Sequence, residues 1–409
     1  MMKNVSRRGW ILLMMGASMV VVDGCKKKSV QSGANAPLAT ATVNWPEVGT
    51  QKVIFLRRNH TGDGTRPEFL SATLLPGRGM NVFQITAYLP GKGEVSLLTS
   101  PSVEDASKVL VGGSGDESGN KSFSFGGALL FPFANRILGP LSADKKTIAA
   151  TWQNRTIQLL ANWHGKNPGA PLHAMHGEIL DARADAIDTK AMSDSATATA
   201  TYHLKANGHW FSDNDVTVDF ALDGNAVDIT LTATNTGKTA EPIGVGWHPY
   251  FQLPSGNRAN ARLRLPAEAR AEVNNYDDVF PSGKLLPVHG TPFDFTGDHG
   301  APLPPVLVDD AFVQLQRNSD GETVCDLMDT AADYGLRITA MSPLVRAFQI
   351  YSPPSASFVA IEPQFNYGDP FGKEWAGEDT GMVTVEPGRS VTWKVRLELF
   401  QPSQPTTQP

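Results

Sequence analysis

Cysteine is almost missing from this chain. Cys25 and Cys325 are the only two in 409 residues, which rules out a disulfide framework. No C-x-x-C or H-E-x-x-H occurs, so the two histidines of "HAMH" (His173 and His176) stand without the partners of a zinc site, and no metal is expected. Charge is also sparse, with 19% charged residues, a net charge of −6 and no long acidic or basic run. That balance argues against a nucleic-acid partner. No G-x-S-x-G elbow is present for a serine hydrolase. The glycine-rich stretch "GGSGDESG" (112–119) lacks the Lys and Ser/Thr of a phosphate loop, and "GVGWHP" has Pro249 where a dinucleotide fingerprint needs its third glycine. Both read as turns. No repeat appears at a solenoid or propeller period.

Glycine and proline are plentiful, at 38 and 29 residues, and the segments between them alternate. In "VTVDFALDGNAVDITLTATN" (216–235), apolar residues recur at every second position on both sides of Asp223-Gly224-Asn225, the pattern of a β-hairpin. "VTWKVRLEL" (391–399) puts Val391, Trp393, Val395, Leu397 and Leu399 on one face. Segments 145–163, 201–211, 311–317 and 335–350 look similar but less regular. Short helices are expected only near 102–110 and 177–190. The fold class that follows is all-β, a large antiparallel β-sandwich with few short helices.

The beginning of the chain has a different character. Lys3, Arg7 and Arg8 precede "WILLMMGASMVVV" (10–22), which is shorter than the roughly 20 apolar residues that span a bilayer and has the form of an export signal. Gly24-Cys25 after it resembles a bacterial lipoprotein box with Cys25 as the lipidated residue, although Asp23 departs from that box. "SRRGWIL" also resembles a twin-arginine signal. The reading is a signal over 1–24, a flexible tether over 25–44, a domain over 45–400 and a disordered tail over 401–409. It implies an exported protein of the periplasm or cell surface, attached to the membrane only through lipid.

Candidate chemistry centres on His248, set in the apolar, stiff run "GVGWHPYFQLPSG" (244–256), and on Asp309, Asp310 and Glu362 in apolar surroundings. Taken residue by residue, this leaves a packed histidine open, and equally a pair of carboxylates for glycoside cleavage.

Several stretches occur together in a fixed order: "GGALLFPFANRI" (126–137), "LHAMHGE" (172–178), "GWHPYFQLP", "VFPSGKL", "PFDF", "VDDAFV" (308–313) and "VAIEPQFNYGDPF" (359–371). In that order they resemble the aldose 1-epimerase family, also called galactose mutarotases, over residues 123–399. The resemblance implies the galactose mutarotase-like supersandwich, and a reaction that opens and recloses the pyranose ring of free aldohexoses. It makes Glu362 the base on the C1 hydroxyl and His248 the acid on the ring oxygen, with His176, Arg136, Asn135 and Asp309 as sugar ligands. No metal or organic cofactor is implied. His248 would have to be at least partly imidazolium, kept charged by carboxylates, and Glu362 an ordinary ionised carboxylate.

Some features depart from the family or leave a choice. His173 competes with His176, and Asp310 with Asp309. The aromatic expected after His176-Gly177 is not evident, and Trp247 stands where sugar-specific members carry a small or polar residue, so the sugar stays open. Trp163, Trp210 and Trp375 are candidate stacking platforms whose commoner role is packing. Two further classes remain: a non-catalytic carbohydrate-binding lipoprotein, and a glycoside hydrolase or lyase on a related sandwich.

Overall fold

The computed structural model describes residues 45–112, 116–165 and 167–403. The segments expected as signal and tether, with Cys25, and residues 404–409 lie outside the described residues. At the start of the expected tail, Ser403 donates from its backbone N–H to Asp333, 2.9 Å.

Two large antiparallel sheets carry the chain. The first runs Ile54–Arg57, Glu68–Leu75, Asn81–Leu89, Gly127–Leu130, Gly246–Gln252, Phe358–Gln364, Ala347–Ser352, Val308–Leu315, Ala267–Val273, Pro281–Pro287, with Gly93–Ser96 pairing onto Asn81–Leu89. The second runs Ala186–Ala191, Ala196–Leu204, Asn214–Leu222, Ala226–Asn235, Ser390–Phe400, Tyr334–Ala340, Thr323–Asp329, Ala261–Arg264, Ala301–Pro302. Their inner faces share one core, in which Phe69, Ile85, Trp247 and Ile361 of the first sheet are continuous with Val218, Leu231, Trp393 and Leu397 of the second. Each such side chain, taken fully out of water, stabilises by about 1.5–3 kcal/mol before the entropy cost of ordering it. The Trp393 indole also donates to the Pro363 carbonyl across the layers, 3.3 Å.

Alternation in the sequence tracks burial where one face is wet. Ala226–Asn235 alternates at every position between buried and partly exposed. Phe358–Gln364 and Ala347–Ser352 instead bury almost every residue, because their outer face is covered as well. Strands covered on both faces lose period two, which is why segment 335–350 reads as irregular; it is in fact two strands, Tyr334–Ala340 and Ala347–Ser352.

The helix near 102–110 is present as Val103–Val109, capped by Ser102, whose hydroxyl accepts from the Asp105 N–H. The helix expected over 177–190 is not. Residues Ile179–Asp181 make a single 3₁₀ turn and Ala186–Ala191 is a strand. The backbone N–H groups of Glu178 and Ile179 both donate to the Phe131 carbonyl, so the start of that segment is tied to another part of the chain. The strand expected over 201–211 ends at Leu204, and Asn207 and Gly208 both turn with positive φ.

Candidate functional site

A cavity of about 250 Å³ opens on the outer face of the first sheet, at the strands buried on both sides. Register explains which side chains enter it. Gly246 lies opposite Gln364 and Tyr250 opposite Ala360, which sets His248 across from Glu362. Gln349 is opposite Glu362 on the next strand, and Asp309 opposite Tyr351 on the one after. Side chains on one face of a sheet repeat every second residue, so His248, Tyr250, Glu362, Gln349, Tyr351 and Asp309 share one wall, and all six line the cavity.

The facing wall is a two-residue pairing, Arg136–Ile137 with Ala174–Met175. Asn135 and His176 flank it with φ of +63° and +62°, a conformation uncommon outside glycine. Each holds the other: the His176 N–H donates to the Asn135 carbonyl at 2.9 Å, and the Asn135 N–H donates to His176 Nδ1 at 3.2 Å. Nδ1 is thereby an acceptor, which leaves the neutral imidazole its proton on Nε2. Asn366 pins this wall to the end of the Glu362 strand, donating to the Ala134 carbonyl and accepting its N–H at 2.8 and 3.1 Å.

Within the cavity, His248 Nε2 stands 3.2 Å from Glu362 Oε1. Glu362 Oε2 accepts from Gln364 at 2.9 Å. The Arg136 guanidinium donates to Asn135 Oδ1 at 2.9 Å, the Asn135 amide to Gln349 Oε1 at 3.3 Å and the Gln349 amide to Asp309 Oδ1 at 2.6 Å. One chain of hydrogen bonds therefore runs from Arg136 to Asp309. The Phe123 ring lies 4.6 Å from the His176 ring and 5.3 Å from that of His248.

The aldose 1-epimerase family model matches residues 93–398, three quarters of the sequence. The chain belongs to the aldose 1-epimerase family. The uncharacterised protein YphB of Escherichia coli is 24% identical over 278 residues, 66% of this chain and 82% of YphB. Among solved structures, a galactose mutarotase-like protein from Clostridium acetobutylicum superposes with a TM-score of 0.64 at 18% identity, over 81% of this chain and 93% of that one. Galactose 1-epimerase from Lactobacillus acidophilus superposes with a TM-score of 0.55 at 16% identity, over 86% and 99%. At these identities the structural likeness speaks for the fold alone.

Within this family member, the structure brings Asn135, Arg136, His176, His248, Asp309 and Glu362 around one cavity. It separates the pairs that the sequence left open. His173 packs its buried ring 5.0 Å from that of Phe280 and does not reach the cavity, so His176 is the cavity histidine. The Asp310 carboxylate points away, to the Arg270 guanidinium and the Tyr276 hydroxyl at 3.0 Å, leaving Asp309 on the cavity side. Trp247 does not border the cavity as expected. It is fully buried in the core, its indole donating to the Gly127 carbonyl at 2.9 Å, because strand alternation turns it opposite to His248. The aromatic beside His176 comes from Phe123, earlier in the chain. Trp163 lines the cavity, whereas Trp210 and Trp375 are buried away from it.

The electrostatics differ from the expectation drawn from the resemblance. Burial pushes His248 down to about 3, with Arg136 adding to the effect, and it pushes Glu362 well above the usual carboxylate range, with Asp309 adding to it. His176 is likewise held well below its ordinary value by burial, His248 and Arg136. Both shifts run against a standing imidazolium at His248 and an ordinary ionised Glu362. Burial thus weighs against the charged form of each partner. Gln349 was missed in the sequence. Its signal was a long polar side chain at an apolar position of "AFQIYS".

Proposed function

We propose that this protein is a mutarotase that interconverts the α and β anomers of free aldohexoses, with Glu362 and His248 as its acid–base pair. The observation carrying the proposal is the direct opposition of those two side chains, 3.2 Å apart, in a cavity below the roughly 300–1,000 Å³ of pockets that take drug-sized ligands. That scale suits one sugar ring.

Ring opening moves one proton from the C1 hydroxyl to the enzyme and one from the enzyme to the ring oxygen, while the C1–O5 bond breaks. The aldehyde then turns about C1–C2 and recloses on its other face. A pair holding one proton between two sites suits this reaction, since its two tautomers are the states before and after ring opening. With Glu362 as base, the reactive tautomer is carboxylate and imidazolium, the one that burial disfavours. Sugar hydroxyls donating to Glu362 favour that tautomer once substrate is bound, while Arg136 favours the carboxylate and opposes the charge on His248. Arg136, the Nε2–H of His176 and the Asp309 carboxylate supply donors and acceptors for the remaining hydroxyls. Positioned proton transfer of this kind contributes about 10²–10⁴-fold.

The test is the approach of freshly dissolved α-glucose and α-galactose to anomeric equilibrium, by polarimetry or proton NMR, with increasing protein. Acceleration proportional to protein supports the proposal. Sugar binding without acceleration would leave a receptor, and a product of new chain length would leave a hydrolase or lyase.

We also propose, from residues 1–25 alone, that the protein is exported to the periplasm or cell surface and lipidated at Cys25. Its test is palmitate labelling, which Cys25→Ala should abolish.

A further inference from the structure

Along its strands, the cavity wall is closed at one end and partly open at the other. The row that carries His248, Glu362 and Gln349 is followed in one direction by Gly246, Gln364, Ala347 and Val313, which oppose one another in register and are all buried. A bound sugar cannot extend that way. In the other direction the next row is Tyr250, Ala360, Tyr351 and Asp309. Ala360 is small and fully buried, and the rings of Tyr250 and Tyr351, on the strands to either side of it, stand 6.5 Å apart.

Beyond that row lies Phe358, opposite Gln252. Its ring is 5.1 Å from that of Tyr250 and 6.1 Å from that of Tyr351, and all three side chains belong to partly exposed residues. Leu307, two residues before Asp309, is partly exposed as well, and Val306 is 51% exposed. Scattered apolar side chains at a surface are commonplace, but these are held in place. Arg258, itself buried, donates to the Pro304 and Val306 carbonyls at 2.8 and 3.0 Å, and to the Ser352 hydroxyl and carbonyl at 2.8 and 3.2 Å. The Ser352 hydroxyl in turn donates to the Phe358 carbonyl at 3.2 Å. One guanidinium thus ties loop 304–306 to the strands of Tyr351 and Phe358, and the surface is ordered before any ligand arrives.

We propose that this aromatic shelf is a subsite for a second sugar ring, so that the reducing end of a 4-linked oligosaccharide is preferred over a free aldohexose. The inference rests on the mutarotase reading above. Ring opening needs a free hydroxyl at C1, so whatever extends the substrate is attached elsewhere on the ring. C4 is the corner of a pyranose opposite C1. With C1 at His248 and Glu362, a step of two residues along the strand, about 7 Å, carries the length of the ring to Tyr250 and Tyr351. A substituent on O4 then lies over Phe358.

The chemistry of the shelf selects among substituents. The segments that build it, 244–257, 303–316 and 347–372, contain no Lys or Arg, and Arg258 is buried and bonded to Pro304, Val306 and Ser352. A phosphate or carboxylate there would meet Asp309 as a like charge. A sugar ring instead lays its C–H face on the aromatic rings and turns its hydroxyls to the two phenols and the Gln252 amide.

The test compares β-cellobiose and β-maltose with β-glucose, which all share one reducing glucose unit, as each approaches anomeric equilibrium with the full chain. Polarimetry or proton NMR should give at least one disaccharide a kcat/KM about tenfold above that of glucose. In Phe358→Ala and in Val306→Asp, each checked by circular dichroism, that advantage should vanish through KM while kcat/KM for glucose keeps its wild-type value. Disaccharides turned over no better than glucose, the advantage kept in both folded variants, or glucose turnover lost together with that of the disaccharides in both would each overturn the subsite. No acceleration of any of the three sugars would remove the mutarotase reading itself, and the subsite with it.

Discussion

His248 and Glu362 face each other from neighbouring strands, Nε2 to Oε1, with side chains only 8% and 2% exposed. Such a pair acts as one unit. Glu362→Gln and His248→Asn should each lower the enzymatic mutarotation rate by about 10²–10⁴-fold. The double variant should be little worse than either single one, since members of one proton relay are not additive. Polarimetry on variants checked by circular dichroism measures both; full activity in Glu362→Gln would remove the proposed chemistry.

The same pair sets the pH profile. Taking on a second proton means charging His248, whose pKa burial holds at about 3, whereas an exposed histidine would titrate at about 6.5. Burial and Asp309 raise Glu362 well above the carboxylate range, which moves its ionisation toward the alkaline side. The rate over background should therefore show no step near 6.5 and stay level down to about pH 4.5, with its loss on the alkaline side. Anomer exchange by NMR across that range decides this.

Adjacent aspartates should behave differently. Asp309 is tied through Gln349 and Asn135 to Arg136 and lines the cavity, so Asp309→Asn should act on kcat/KM with little change in stability. Asp310 is fully buried against Arg270 and Tyr276. Asp310→Asn leaves the partly exposed Arg270 guanidinium without its counter-charge and should cost about 1–3 kcal/mol, read from urea unfolding.

Gly177 has φ of +77° and packs where an added Cβ would strike the Phe131 carbonyl. Gly177→Ala should destabilise the fold by more than the roughly 1–3 kcal/mol of backbone strain alone and displace His176. Gly256, at φ +70° with open space around it, provides the control: there Ala meets the strain without the collision. Parallel urea titrations separate the two effects.

Stability should rise as pH falls from 8 to 6.5. Burial raises Glu178, Glu241 and Asp369 to about 7 in the folded protein, against about 4 in the unfolded chain. The folded state then binds more protons between those values, and their contribution is lost as pH climbs through 7. His173 and His248, lowered to about 4 and about 3, oppose the trend only below about 6.5, where the unfolded chain begins to protonate them. A higher urea midpoint at pH 6.5 than at pH 8 is the expected observation.

The wet-faced strands were the legible part of the fold. The hairpin at 216–235 and the strand at 391–399 declare themselves because solvent on one face enforces alternation. The doubly covered strands that build the site do not, and neither do the positive-φ residues Asn135 and His176, whose conformation depends on one another. The cavity residues follow from motif order, while the shifts at His248 and Glu362 run against the expectation: no local pattern reports how much water is displaced around them. Asp309 and Asp310 could be told apart only once Arg270, 40 residues away, was seen to take the second of them.

The strand Ser390–Phe400 sits between Ala226–Asn235 and Tyr334–Ala340, in the middle of the second sheet. During synthesis, the two halves of that sheet wait with bare edges until residue 400 has left the ribosome. The layer that supports the Glu362 strand through Trp393 is completed last. A chain interrupted before this strand would expose two long hydrophobic-faced edges able to pair with other copies, so premature termination should yield aggregates instead of a smaller working domain.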